Sequence, residues 1–438
     1  MSTTVDTSRS AGAAEALTGR VGRYRWTICA LLFFITTINY MDRQVIGVLK
    51  PVMQRDLGWT EIDYGNIIFF FQLSYAAGYL AMGRFMDRVG VRLGLTLAVI
   101  GWSLATVAHG LVRTVAGFCI ARFALGITEG GNFPAAIKTV GDWFPARERA
   151  LATGIFNAGS NVGAMLTPLA IPWLTVTVGW PAAFYATGLL GFVWLVFWLR
   201  IYQTPEQHPR LSRQEFAYIR SDPVPPAESV PWLSLLRYRG TWAFIVASVM
   251  TGPVWWFYLF WVPDFLFKTH GLSLTKIGPP LVVIYLMTDL GSIGGGWLSS
   301  ALIKRGVEVI TARKLALLLC ALLVVPIFLA PRVESLWVAT LLIGLAASAH
   351  QGFSANNYTL VSDIMPRNTI ASVVGIGGMA GGIGGMFTAE IVGYVLQYTG
   401  SYMVLFTWAS VAYLITVGVM QLILPRHRQE LIPTDVPA

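Results

Sequence analysis

Stretches of about twenty mostly apolar residues recur along the whole chain, which is the length a helix needs to cross roughly 30 Å of hydrocarbon. Lipid offers no water to satisfy backbone polar groups, so each stretch must close its own hydrogen-bond ladder as an α-helix. Twelve such stretches are predicted, at 26–48, 63–86, 93–111, 115–138, 149–173 and 182–202, then at 240–266, 279–302, 312–330, 335–359, 369–395 and 401–424. Residues that are 55% hydrophobic and only 12% charged agree with this, since soluble domains are about 25% charged. The expected fold is an all-α membrane protein whose twelve transmembrane helices form two six-helix bundles.

The longest connector, 203–239, is rich in proline and charge and divides the spans six and six. The expected organisation is an N-terminal tail (1–25), a first bundle (26–202), a central loop (203–239), a second bundle (240–424) and a C-terminal tail (425–438). Residues 1–20 are small and polar without an apolar core, so they read as a disordered tail and not a cleaved signal peptide. With twelve spans, 23 Lys and Arg fall on the side of the amino terminus, six on the other, and Arg43 and Arg122 within the spans. That bias predicts cytoplasmic tails and a cytoplasmic central loop.

The net charge of +9 resides in these short connectors, so it is an orientation signal and no nucleic-acid surface. Cys29, Cys119 and Cys320 all lie in apolar spans and form no metal or disulfide pattern. HExxH, GxSxG and GxxxxGK[ST] patterns are absent from the sequence, which argues against an intramembrane hydrolase and against ATP-driven pumping. The glycine run Gly375–Gly382 lacks the strand and acidic partner of a dinucleotide site and reads as close helix packing. No cofactor or metal is expected.

Ionisable residues within spans are the functional signal. Asp42 and Arg43 occupy the first span, and Arg122 and Glu129 the fourth. A charge at bilayer depth costs about 2.5–3.5 kcal/mol or more, so such groups face a wet cavity or one another. A guanidinium matches a carboxylate with two parallel donors, and Arg122 and Glu129, seven apart, share one helix face. Asp42 and Glu129 are candidate proton carriers: an anion competing for arginine would free a carboxylate to take up a proton. Asp289, in the eighth span, is equally consistent with such work and with a packing ion pair.

The motifs then point to a family. Gly83-Arg84-Phe85-Met86-Asp87-Arg88-Val89-Gly90-Val91-Arg92 resembles the cytoplasmic loop signature of the major facilitator superfamily, with Gly83, Asp87, Arg88 and Arg92 as its gate residues. A degenerate second copy runs from Gly295 to Gly306 and lacks the acid. Asn39-Tyr40-Met41-Asp42-Arg43 and the stretch Arg122–Gly130 resemble the anion:cation symporter family, and Ala349–Asn356 its bacterial hexuronate and sugar-acid branch.

That resemblance implies that Arg43 binds the substrate carboxylate, that Asp42 and Glu129 protonate, and that Arg122 holds Glu129 or couples the site. Neutral hydroxyl-binding candidates are Tyr40, Gln72, Tyr75, Asn157 and Asn161 in the first half. Tyr258, His350, Gln351, Asn356 and Asn357 are their counterparts in the second half, with Trp255 and Trp256 able to stack on a sugar or to anchor at the bilayer interface. The expectation is a monomeric, proton-coupled importer in a bacterial inner (plasma) membrane, carrying a small organic anion such as glucuronate or galacturonate. Other sugar or aromatic acids, proton-driven export and a non-transporting sensor are the rivals.

Overall fold

The computed structural model describes residues 22–221, 232–365 and 369–424. Most of both tails and part of the central loop, about which expectations were stated above, lie outside the described residues.

The first half contains α1 (Tyr24–Leu57), α2 (Glu61–Val89), α3 (Val91–Leu111), α4 (Val115–Glu129), α5 (Asn132–Trp143), α6 (Ala146–Val178) and α7 (Trp180–Ile201). The second contains α10 (Arg239–His270), α11 (Gly278–Lys304), α12 (Val309–Val324, continued as a 3-10 segment to Arg332), α13 (Leu336–Ile364), α14 (Ile370–Thr399) and α15 (Met403–Ile423). Between them stand two short helices, α8 (Arg213–Ile219) and α9 (Trp232–Leu235). The predicted fourth span is thus two helices, α4 and α5, stepped at Gly130-Gly131, where the turn tightens through a Gly131 N–H to Thr128 carbonyl bond of 3.2 Å. With the step counted as one, the described residues hold twelve long helical segments, in keeping with twelve crossings.

Among the described residues, nine helices are long and apolar enough to cross a membrane on composition alone. The crossings that fall short are α1, α2 and the α4–α5 pair. They also hold Asp42, Arg43, Gln72, Arg122 and Glu129, so their polarity is that of a site and not of a soluble face.

Packing is symmetric in outline. The second crossing of each half lies against the fifth of the other, α2 on α14 and α6 on α11, while α10 also meets α1. Within a half the backbones approach closely through glycine: a side chain at Gly126 of α4 would collide with Ser74 Oγ and the Phe71 carbonyl oxygen of α2. The central connector is not wholly a loop. Glu215 of α8 accepts hydrogen bonds from the Tyr24 and Arg25 backbone amides at 3.1 and 3.0 Å, capping α1, and Arg25 pairs with Glu148 of α6 at 2.7 Å. These bonds attach α8 to the first half, because an acidic side chain is favoured at the unsatisfied N–H groups of a helix start.

Candidate substrate and coupling site

A cavity of about 510 Å³ lies between the halves, within the usual range for small-molecule sites. Its walls come from the parts of α1, α2, α5, α6, α10, α13 and α14 that lie mid-span or nearer the amino-terminal face. On α1 the lining residues are Thr36, Asn39, Tyr40 and Arg43, the i, i+3, i+4, i+7 stripe of one helix face. Adjacent helical residues point about 100° apart, so Asp42 cannot share that face.

Arg43 is the one fixed charge among the described residues that line the cavity. Its Nε donates to Glu129 Oε2 at 3.0 Å and its Nη2 to Asn39 Oδ1 at 3.2 Å. Four rings surround the guanidinium, with Tyr40 and Tyr75 at 4.6 Å, Trp256 at 5.4 Å and Phe71 at 5.6 Å from ring centroid to Cζ. Such rings hold a cation without supplying a counter-charge, which comes from the carboxylate of Glu129. Glu129 sits at the last residue of α4, one position before the glycine step, and its Oε1 has no hydrogen-bond partner among the described residues.

Arg122 lies deeper, fully buried, donating from Nη2 to the Arg43 carbonyl at 3.3 Å and lying 5.3 Å from the Phe71 ring. The geometry couples the two arginines through the α1 backbone, and the hydrogen-bonded partner of Glu129 is Arg43, not Arg122. Asp42 is buried on the other side of α1, beside Thr106 of α3 and Thr187 of α7, with neither oxygen at hydrogen-bonding geometry. A buried carboxylate with no partner is stable only when neutral or hydrated.

Several sequence candidates reach the cavity: Tyr40, Tyr75, Asn157, Trp255, Trp256, His350, Gln351 and Asn357. Others do not. Asn356 donates to the Gly295 and Gly352 carbonyls at 2.8 and 2.9 Å and clasps α13 to α11. Asn161 bonds Asp289 across the α6–α11 contact, which makes Asp289 an interhelix ligand in this conformation. Gln72 is buried against Gly385 of α14, and Tyr258 is buried away from the cavity wall. The glycine run of α14 lines the cavity with Gly377, Gly378, Gly381 and Gly382, where missing side chains leave room for a ligand.

The signature loop stays within the first half: Asp87 pairs with Lys138 of α5 at 2.5 Å, and Arg92 donates to the Leu199 carbonyl at 2.8 Å. Lys138, at the signature-loop end of the fourth crossing, thus supplies a counter-charge to Asp87 from another helix. In the second half, Asp363 at the end of α13 pairs with Arg313 at 3.0 Å, and Arg313 also donates to Ser299 of the degenerate motif copy at 2.6 Å.

At the opposite face the halves are joined. Lys50 of α1, fully buried, binds Asp264 of α10 at 2.5 Å and Glu61 of α2 at 2.7 Å. Lys268 pairs with Glu61 and with Asp264, Tyr402 donates to Asp264, and the Glu61 amide donates to Gln397 of α14 at 3.0 Å. Tyr64 donates to the Phe260 carbonyl at 3.0 Å, and Gln44 to Tyr285 at 2.5 Å. Lys50 and Lys268 lie just beyond the predicted spans 26–48 and 240–266, among the six basic residues of the far-side connectors. An acid near each cationic residue is too common a pattern to stand out without the fold.

Two halves of six crossings each, around a largely apolar central cavity with one fixed cation and joined at one face by ion pairs, define a membrane transport protein and not an enzyme. The chain belongs to the Major Facilitator Superfamily, which it matches over residues 32–389. It is 30% identical over 383 residues to the hexuronate transporter of Escherichia coli (strain K12), covering 86% of this chain and 88% of that one. It is 32% identical over 307 residues to the galacturonate transporter of Dickeya chrysanthemi, covering 69% and 89%. It is 30% identical over 393 residues to the D-galactonate transporter of Escherichia coli O6:H1, covering 86% and 91%. In fold it is similar to a bacterial homolog of the human lysosomal transporter Spinster in an inward-facing, unoccupied conformation, with a TM-score of 0.67 at 19% identity, covering 91% and 96%.

Proposed function

We propose that this protein is a proton-coupled symporter that imports a monoanionic sugar acid, a hexuronate such as glucuronate or galacturonate, by alternating access. The observation that carries the reading is the Arg43–Glu129 pair at the cavity wall. One fixed cation suits one carboxylate, and the arriving anion takes over the guanidinium from Glu129. The released Glu129 carboxylate, in a water-poor site without its counter-ion, takes a proton. Substrate and proton then travel together, and Asp42 and Arg122 relay the change within the first half. Hexuronate and galacturonate transporters among the relatives support the substrate class.

The basic bias of the connectors supports an orientation in a bacterial inner membrane with the amino-terminal face and both termini on the cytoplasmic side. The conformation described is then inward-facing, with the Lys50–Asp264–Glu61 cluster as the closed outer gate and the signature residues Gly83, Asp87, Arg88 and Arg92 at the inner one. One chain contains a whole site, so a monomer suffices.

Uptake of radiolabelled glucuronate and galacturonate by the purified protein in liposomes, with an imposed pH gradient, tests the proposal. Arg43→Ala is expected to abolish uptake, and Arg43→Lys to lower it at least about tenfold, because an ammonium cannot reproduce the two-pronged donor. Wild-type rates in either variant would remove the carboxylate clamp.

A further inference from the structure

On the cavity wall of the second half stands an aromatic assembly for which carboxylate recognition has no use. The indole of Trp255 on α10 and the imidazole of His350 on α13 are stacked, with centroids 5.1 Å apart and planes 8° from parallel. His350 is in turn fixed by a 2.5 Å hydrogen bond between its Nδ1 and the hydroxyl of Tyr413 on α15, whose ring meets it edge-on at 85°. Tyr413 is fully buried, His350 is buried, and Trp255 is half-buried. Both Trp255 and His350 line the cavity.

Three helices thus hold one flat ring at the cavity wall. A half-buried indole with one face covered by an imidazole keeps a fixed apolar surface on the cavity side. Such a surface matches the C–H face of a pyranose, as planar aromatic surfaces match flat apolar partners. An open-chain acid presents no such face. A hexuronate closes a hemiacetal ring through its aldehyde, whereas an aldonate, whose C1 is the carboxylate, cannot.

We propose that Trp255 is a specificity-determining residue that selects cyclic uronates over open-chain aldonates, and that His350 and Tyr413 are positioning residues that hold the indole in place. This rests on the sugar-acid reading above and refines it. It also gives His350 a role that needs no proton transfer.

The test is competition for uptake in liposomes containing the full chain, with unlabelled galacturonate and galactonate as competitors and galacturonate and galactonate each labelled in turn. Trp255→Ala is expected to weaken galacturonate about tenfold while weakening galactonate less than about twofold. Trp255→Phe, which retains a ring, is expected to keep galacturonate within about threefold of wild type and guards against loss of folding. Tyr413→Phe removes the hydroxyl alone and is expected to shift the galacturonate-to-galactonate ratio in the same direction by a smaller factor. Parallel loss for both acids, or loss for neither, in Trp255→Ala overturns the ring platform while leaving sugar-acid transport intact. Wild-type transport of galactonate without galacturonate overturns the platform and the hexuronate reading together. Wild-type transport of neither acid overturns both as well.

Discussion

Arg43 is confined by the requirement that a buried guanidinium keep a counter-ion. Glu129 supplies it, while Tyr40, Tyr75, Phe71 and Trp256 fill the remaining space with ring faces. Because Asp42 turns away from the cavity, its proposed task is separable from binding. Asp42→Asn is expected to lose pH-driven accumulation while half-saturation in substrate exchange stays within about twofold. A tenfold rise in half-saturation would place Asp42 in the binding site instead, and exchange assays in liposomes distinguish the two. At this scale much was legible from sequence: charges at bilayer depth are rare enough to name Asp42, Arg43, Arg122 and Glu129 outright. Their pairing was not, since which arginine Glu129 meets depends on where the glycine step puts the end of α4. Neutral residues divided for a related reason. Asn356 and Asn357 are neighbours of one type, yet one clasps α11 and the other lines the cavity, a difference set by 100° of helix rotation.

Helices in this fold are tied at one end and glycine-packed along their length. The far-face ion pairs converge on a few residues, with Lys50 central to Asp264 and Glu61. Removing Lys50 leaves Asp264 and Glu61 to share Lys268 alone, and the excess buried negative charge favours the conformation that hydrates it. Lys50→Ala should therefore populate the state open at that face. A cysteine placed at Gln44, buried below the cluster, reports on it in a background lacking Cys29, Cys119 and Cys320. Its labelling by a membrane-impermeant maleimide is expected to quicken about tenfold when Lys50 is replaced. An unchanged rate would mean that the cluster does not hold the halves together. Glycine packing makes a different demand. Gly126→Val forces α4 away from α2 at Ser74 and Phe71, and the thermal midpoint in detergent is expected to fall by at least about 5 °C. Crossings were readable from apolar length, but the step at Gly130-Gly131 and the docking of α8 under α1 were not. Both depend on contacts between segments distant in the chain.

For the whole molecule, the crossed pairing of second and fifth helices makes each half a body that can rock about the cavity while its internal contacts persist. The described conformation has its ion pairs between halves at one face and its cavity nearer the other, as a two-state exchanger requires. On the proposed reading, one fixed cation on the cavity wall suits a cargo with one carboxylate. Glucarate, with a second carboxylate and no second cation to meet it, is expected to compete at least about tenfold less well than glucuronate. Equal competition would call for a cation elsewhere on the path.

The exchange of partners at Arg43 is best tested by proton uptake on substrate binding, followed with a pH indicator in weakly buffered detergent solution. Addition of galacturonate to the wild type is expected to remove about one proton per bound substrate from solution. Glu129→Gln is expected to bind substrate and take up none. Binding by the wild type with no proton uptake, or undiminished uptake in Glu129→Gln, would contradict the exchange.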